Sequence, residues 1–249
     1  MKADNPDYSV IIPAYNEEKY IAETLSCINN ITEKISDYTG EIIVTDNRST
    51  DTTAHVARSH GAIVVFERKR QIAKARNTGA KASCGRFLIF VDADTLINQE
   101  LLEETLRCLI SGEYCGGGAT ITLNEHPPVA ARVLFSMWNL FSRKFGCAAG
   151  SYVFCSREAF ENVGGFDETY FAGEELYLSI ALKKFGKFRN MKFGIIDRPV
   201  ITSDRKFKWF SYWQLLRQVL PFIIKPSQLK RQRACNIWYT RPKSSKTEK

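Results

Sequence analysis

The 249-residue chain, 44% hydrophobic and 25% charged, has the composition of an ordinary globular protein and is long enough for one sizeable core or two small ones. No apolar run reaches the roughly 18 residues of a membrane-spanning helix, and seven scattered cysteines without a C-x-x-C pair point to buried thiols in a reducing compartment, away from zinc or a disulfide frame. The net charge of +8 is uneven: from Arg205 onward 12 Lys or Arg face one acid, Glu248, whereas residues 1–204 balance at −3, which argues against a body-wide nucleic-acid surface and for a tail drawn to phosphate groups.

The opening MKADNPDYSV lacks a signal-peptide apolar region and leads directly into a buried strand over Tyr8–Ile12. A turn at Pro13–Asn16 and a helix over Glu17–Asn29 follow. Next come a strand over Glu41–Thr45, the turn DNRSTD at 46–51, a helix over Asp51–His60 and a strand over Ala62–Phe66. A basic helix over Gln71–Ser83 leads to the strand Arg86–Val91, which ends in Asp92-Ala93-Asp94. Repeated β-α units with near-continuous apolar strands predict a mostly parallel α/β sheet flanked by helices. Ligands bind such sheets at the carboxyl ends of the strands. Tyr15-Asn16-Glu17, Asp46-Asn47 and Asp92–Asp94 all follow strands at that end.

The second half is less regular. Strands are expected at Gly117–Leu123, Ser151–Cys155 and Phe193–Asp197, with helical segments at Val129–Phe145, Arg157–Val163 and Glu174–Phe185. The end, RPKSSKTEK, is too polar to pack and is expected to be disordered. The chain therefore divides into a body over 1–204, with halves at about 8–95 and 96–204, and a basic amphipathic tail over 205–249.

An Asp-x-Asp after an apolar strand puts two carboxylates on one tight turn. Hard divalent cations take oxygen ligands, and Mg2+ or Mn2+ commonly bridges one or two carboxylates to a diphosphate. Such an ion neutralises charge on a departing nucleoside diphosphate. Taken alone, the pair is a weak signal and more often a solvated turn in which Asp94 caps a helix.

The ordered series SVIIPAYNE (9–17), IVTDNRSTD (43–51), ARNTGA (75–80), FLIFVDADT (87–95), GGFDE (164–168) and GEELYLSIALKKFG (173–186) resembles a family 2 glycosyltransferase of GT-A fold. The resemblance implies a GT-A-like, Rossmann-type sheet and an inverting transfer from a nucleotide diphosphate sugar, a UDP-sugar foremost. It implies that Pro13, Tyr15, Glu17 and Asp46 hold base and ribose. It places Arg76 near the donor, Asp92 at the ribose or metal, and Asp94 on the metal, Mn2+ or Mg2+.

In the family an acidic pair after the GGFDE block supplies the base for the acceptor hydroxyl. Here it reads Glu174-Glu175, and Glu175 stands where an aspartate is usual. Either carboxylate can take a proton within hydrogen-bond reach, although both also suit a helix N-terminus. Three departures stand out. Arg48 replaces a turn glycine, Asn47 replaces a second aspartate, and Tyr177 with Ala181 replaces an Asp–Arg pair.

His55, His60 and His126 are expected to be surface or packing residues, not metal ligands. The Gly116–Gly118 run is not a phosphate loop, because no lysine and Ser/Thr follow it. In the tail, Trp209, Tyr212, Trp213, Leu216, Val219, Leu220, Ile223 and Ile224 share one helical arc, with Lys208, Ser211, Gln214, Arg217 and Gln218 outside it and Phe210, Leu215 and Phe222 as exceptions, a pattern suited to an anionic membrane surface or to a protein interface. The expected protein is a metal-dependent, inverting glycosyltransferase, cytoplasmic and peripheral on the inner membrane face, acting on a lipid, lipid-linked or other hydroxyl acceptor and not on nucleic acid. A sugar-nucleotide nucleotidyltransferase and a catalytically silent membrane scaffold are the alternatives.

Overall fold

The computed structural model describes residues 5–123, 129–203, 205, 226–235 and 239. His126, the amphipathic segment 208–224 and the terminal RPKSSKTEK lie outside them.

Strands β1 (Tyr8–Ala14), β2 (Gly40–Asp46), β3 (Ile63–Phe66), β4 (Phe87–Val91), β5 (Thr95–Leu96), β6 (Tyr114–Leu123), β7 (Tyr152–Ser156) and β8 (Lys192–Thr202) form one sheet in the order β3-β2-β1-β4-β7-β6-β8-β5. The helices are α1 (Ile21–Thr32), α2 (Thr53–Ser59), α3 (Ile72–Ala82), α4 (Gln99–Ile110), α5 (Val129–Phe145), α6 (Arg157–Asn162) and α7 (Glu174–Arg189).

Alternation along β1 divides the core into two layers, because successive side chains point to opposite faces. Val10 and Ile12 join Ile21, Leu25 and Leu102 on one face. Ile11 joins Ala73, Phe90, Phe166 and Leu178 on the other. Helix α4 follows the Asp-x-Asp turn but begins at Gln99, so Asp94 does not cap it. Its Leu101, Leu102, Leu106 and Leu109 are buried at helical spacing, and Asn98 caps it by accepting from the Leu101 amide at 2.8 Å. Helix α1 starts at Ile21, later than expected, because Glu17–Tyr20 forms a turn with the Tyr20 amide donating to the Glu17 carbonyl.

The four strands β3-β2-β1-β4 are mutually parallel, as the β-α units predict. Strand β7 then runs antiparallel to β4, pairing Val91 with Tyr152. The reversal brings the start of β7 to the edge where β1, β2 and β4 end. The Gly116–Gly118 run belongs to packing: a Cβ on Gly117 would lie 2.1 Å from the Gly194 carbonyl oxygen. All seven cysteines are free thiols.

Candidate active site

The carboxyl ends of β1, β2 and β4 bring Tyr15–Glu17, Asp46 and Asp92–Asp94 together. Register places Pro13 beside Thr45 and Ala14 beside Asp46, and the Asn47 amide donates to the Ala14 carbonyl. Asp46 is buried and accepts from the Ser49 amide at 2.9 Å. Arg70 stacks on the Tyr15 ring, 3.8 Å from its centroid.

Arg48 takes a left-handed φ of 68°, so the turn keeps a conformation that suits glycine, at a strain of about 1–2 kcal/mol. Asn47 is a brace: its amide nitrogen donates to the carbonyls of Glu67 and Lys69, and its oxygen accepts from the Gln71 amide. An aspartate could accept there but could not donate. Tyr177 stacks on Tyr170 with centroids 3.8 Å apart, so its ring is held by a contact outside α7 and not by position 181. His60 Nδ1 lies 2.9 Å from the Val56 carbonyl, a local helix-end contact.

Arg76 is the hinge of the site. Helix α3 carries it under the sheet edge, 1% exposed. Its guanidinium donates to Glu174 at 2.6 Å, to Asp92 at 2.9 Å and to the Gly150 carbonyl at 2.7 Å. These three partners lie on α7, after β4 and before β7, so one side chain ties three elements together. Burial works against its charge, but Asp92, Glu174 and Glu175 outweigh it and hold its pKa above the ordinary value.

Glu175 lies next along α7, beyond the direct reach of Arg76. Burial and then the neighbouring Glu174 push its carboxyl up to about 7, against a smaller opposing effect of Arg76. A Cβ on Gly150 would lie 3.2 Å from Arg76 Nη2 and 3.5 Å from the Glu175 carboxyl carbon, so the absence of a side chain there leaves room for the guanidinium beside the acid. A carboxyl that exchanges its proton near neutrality, at the open edge of a sheet, is suited to general-base work.

A second guanidinium, not anticipated from sequence, closes the other side. Arg205 donates to both oxygens of Glu17, at 2.5 and 2.8 Å, and pairs with Asp94 at 3.0 Å. Its own sequence context, SDRKFK, is merely basic, so no local signal marks it. Nearby, the Phe171 amide donates to the Leu229 carbonyl at 2.8 Å, Cys235 is buried, and Tyr239 sits edge-on to Phe171. Residues from beyond 204 therefore contact the body.

Five carboxyl groups (Glu17, Asp92, Asp94, Glu174 and Glu175) share the site with Arg76 and Arg205. The balance stays negative even with Glu175 protonated. The oxygen donors of Asp92 and Asp94 suit Mg2+ or Mn2+ in kind, and each is paired with an arginine in this structure. No cluster of three or more potential ligands from His, Cys, Asp and Glu occurs among the described residues, so further coordination would have to come from diphosphate or water.

Residues 9–164 match the family model described as "Glycosyl transferase family 2". The chain is 30% identical over 190 residues to glycosyltransferase AglE of Haloferax volcanii, covering 71% of this chain and 61% of AglE. It is 34% identical over 102 residues to the poly(ribitol-phosphate) beta-N-acetylglucosaminyltransferase TarP of Staphylococcus aureus, covering 39% of this chain and 31% of TarP. The chain thus spans less than two thirds of these relatives. Among solved structures, residues 1–349 of S. aureus TarS superpose with a TM-score of 0.61 at 20% identity, covering 93% of this chain and 69% of that one. A mannosyltransferase from Pyrobaculum calidifontis, in complex with GDP-Man and Mn2+, gives 0.60 at 20% identity over 94% and 70%. The sheet and its flanking helices are those of a GT-A fold.

Proposed function

The chain belongs to glycosyl transferase family 2, and on that premise we propose that it moves one sugar from a nucleotide diphosphate donor, a UDP-sugar foremost, to a hydroxyl acceptor with inversion. The observation that carries this reading is the Arg76 junction, which holds Glu174 and Asp92 in place and leaves Glu175 beside them with a pKa near 7.

In the proposed reaction Glu175 takes the proton of the acceptor hydroxyl as its oxygen bonds to the sugar's anomeric carbon, and the bond to the nucleoside diphosphate breaks on the opposite side. The developing negative charge needs a fixed cation. A divalent ion held by Asp92 and Asp94 would supply it. Arg205 places a further positive charge against Asp94. Tyr15 and Asp46, at the ends of β1 and β2, are the proposed contacts for base and ribose. AglE is named a glycosyltransferase and TarP a beta-N-acetylglucosaminyltransferase, which supports sugar transfer.

The proposed setting is the cytoplasmic membrane face with a lipid or lipid-linked acceptor, on the strength of the basic, aromatic segment 208–224. Incubation with a panel of nucleotide sugars and Mn2+ tests the reading. Release of nucleoside diphosphate that depends on Glu175 supports transfer. Release of pyrophosphate would replace it with nucleotidyl transfer, and no turnover with intact donor binding would indicate a silent scaffold.

A further inference from the structure

We propose that the outward face of α5 is the surface by which the folded body docks on an anionic lipid bilayer, an inference that rests on the membrane setting proposed above. Helix α5 has two faces. Ala131 and Ser142 are buried, and Phe135 and Trp138 pack against the core. On the other side Val133, Leu134, Met137, Leu140, Phe141 and Phe145 are each 45–64% exposed. At 100° per residue these six share an arc of about 140°. A contiguous apolar strip of this kind marks an interaction surface, whereas single exposed apolar residues do not.

The helix cannot roll to bury that strip. Asn139 clamps it to β6, accepting from the Ile121 amide and donating to the Ile121 carbonyl, both at 2.9 Å. Arg143 pairs with Asp197 at 2.6 Å. The strip is therefore held outward by contacts on the opposite side of the helix.

Charge identifies the partner. Helix α5 contains Arg132, Arg143 and Lys144 and no acid. Lys144 projects within the apolar arc, with its ammonium 5.6 Å from the Phe145 ring, and a long lysine stem can lie along apolar surface while its head reaches outward. Arg132 and Arg143, about three turns apart, line one pocket beside the strip together with Asp197, which pairs with Arg143, so Arg132 and Lys144 are the cations offered to a partner. Two copies meeting face to face would confront these cations with one another. Anionic headgroups above an acyl layer satisfy both the cations and the apolar strip. No helix of the described residues is long and apolar enough to cross a membrane, so α5 would lie in the interface plane.

Co-sedimentation of the full chain with phosphatidylcholine vesicles, with and without phosphatidylglycerol, tests the proposal. Leu140→Ser with Met137→Ser should weaken binding to the anionic vesicles at least tenfold with only a small fall in melting temperature, since these two side chains are 62% and 64% exposed and the cost is mainly helix propensity. Arg132→Glu with Lys144→Glu should weaken it further as salt is reduced, each cation near such a surface being worth about fivefold. Met137→Trp should show a blue shift on anionic vesicles larger than that of wild type, whose four native tryptophans set the baseline; a shift equal to wild type would count against α5. If wild type binds and the α5 variants bind equally well, while Trp209→Ser with Trp213→Ser releases the protein, the α5 inference fails and the membrane setting stands. If wild type does not sediment with anionic vesicles, both fail. Vesicle-free self-association that the serine variants abolish would assign the strip to a second copy and overturn the proposal.

Discussion

Arg205 and Asp94 form an ion pair, Nη2 to Oδ2 at 3.0 Å, with side chains only 13% and 11% exposed. The carboxylate expected to hold a metal is thus already neutralised by a cation from the root of the tail. A divalent ion without nucleotide must compete with that guanidinium, which also grips Glu17.

Arg205→Ala should therefore raise the affinity for Mn2+ alone by roughly tenfold, the equivalent of about 1.4 kcal/mol, and weaken nucleoside diphosphate binding in the absence of metal. Asp94→Ala should abolish the metal-dependent part of nucleoside diphosphate binding. Calorimetry of each variant with and without Mn2+ reads both effects. Unchanged metal-dependent affinity in Asp94→Ala would remove the metal from that carboxylate.

Glu175→Gln should leave donor affinity near wild type and reduce kcat by roughly 10²-fold or more, the usual scale for a lost general base. Burial and the neighbouring Glu174 push the carboxyl up to about 7, and the base is the deprotonated form. Wild-type kcat/KM should therefore rise with pH below about 7 and level off above it, and the variant should lose that limb. If Glu174→Gln is the more damaging change, the base is the neighbour.

The same shift predicts a stability effect of opposite sense. Between the ordinary 4.5 and about 7 the native Glu175 keeps a proton that the unfolded chain releases, so stability falls as pH rises through that window. Glu175→Gln should melt higher than wild type at pH 8, by an amount on the order of 1 kcal/mol or more, and the two should converge near pH 4. Thermal unfolding at both pH values measures this, and equal melting at pH 8 would contradict the burial of the acid.

Arg76→Met should cost about 3–5 kcal/mol, because it leaves Glu174 buried and Asp92 partly buried without their cation. Urea denaturation gives the value. A loss below about 1 kcal/mol would show that the junction is not what holds α3, α7 and the end of β4 together.

Gly150→Ala should act on catalysis more than on stability. Its Cβ would lie 3.2 Å from Arg76 Nη2 and at ordinary contact distance, 3.5 Å, from the Glu175 carboxyl carbon, so the guanidinium that holds Glu174 and Asp92 must give by a few tenths of an ångström. A fall in kcat of roughly tenfold with KM for donor little changed is expected, since small misplacements of reacting groups are costly. Steady-state kinetics beside a melting curve separate the two effects.

Much of this protein could be read from its chain alone. The apolar runs at Tyr8–Ile12, Glu41–Thr45 and Arg86–Val91, each followed by polar residues, place three strand ends and their acids at one edge, because a β-α unit returns every strand in the same direction. The Glu174-Glu175 pair could be located only through the family resemblance, by its place after the GGFDE block; its position at a helix start reads equally as an ordinary N-terminal acidic pair. Tertiary structure alone decided the rest. That β7 reverses, and so delivers Gly150 to the edge, depends on pairing with β4 across some 60 intervening residues. That Arg76 joins Asp92 to Glu174 depends on α3 passing beneath the edge where α7 begins. That Arg205 reaches Glu17 and Asp94 spans 188 residues in one case. A strand's period or a turn's residue types are local physics and leave their mark on neighbouring positions. An ion pair between distant arginines and carboxylates leaves none, since either partner alone reads as an ordinary charged residue.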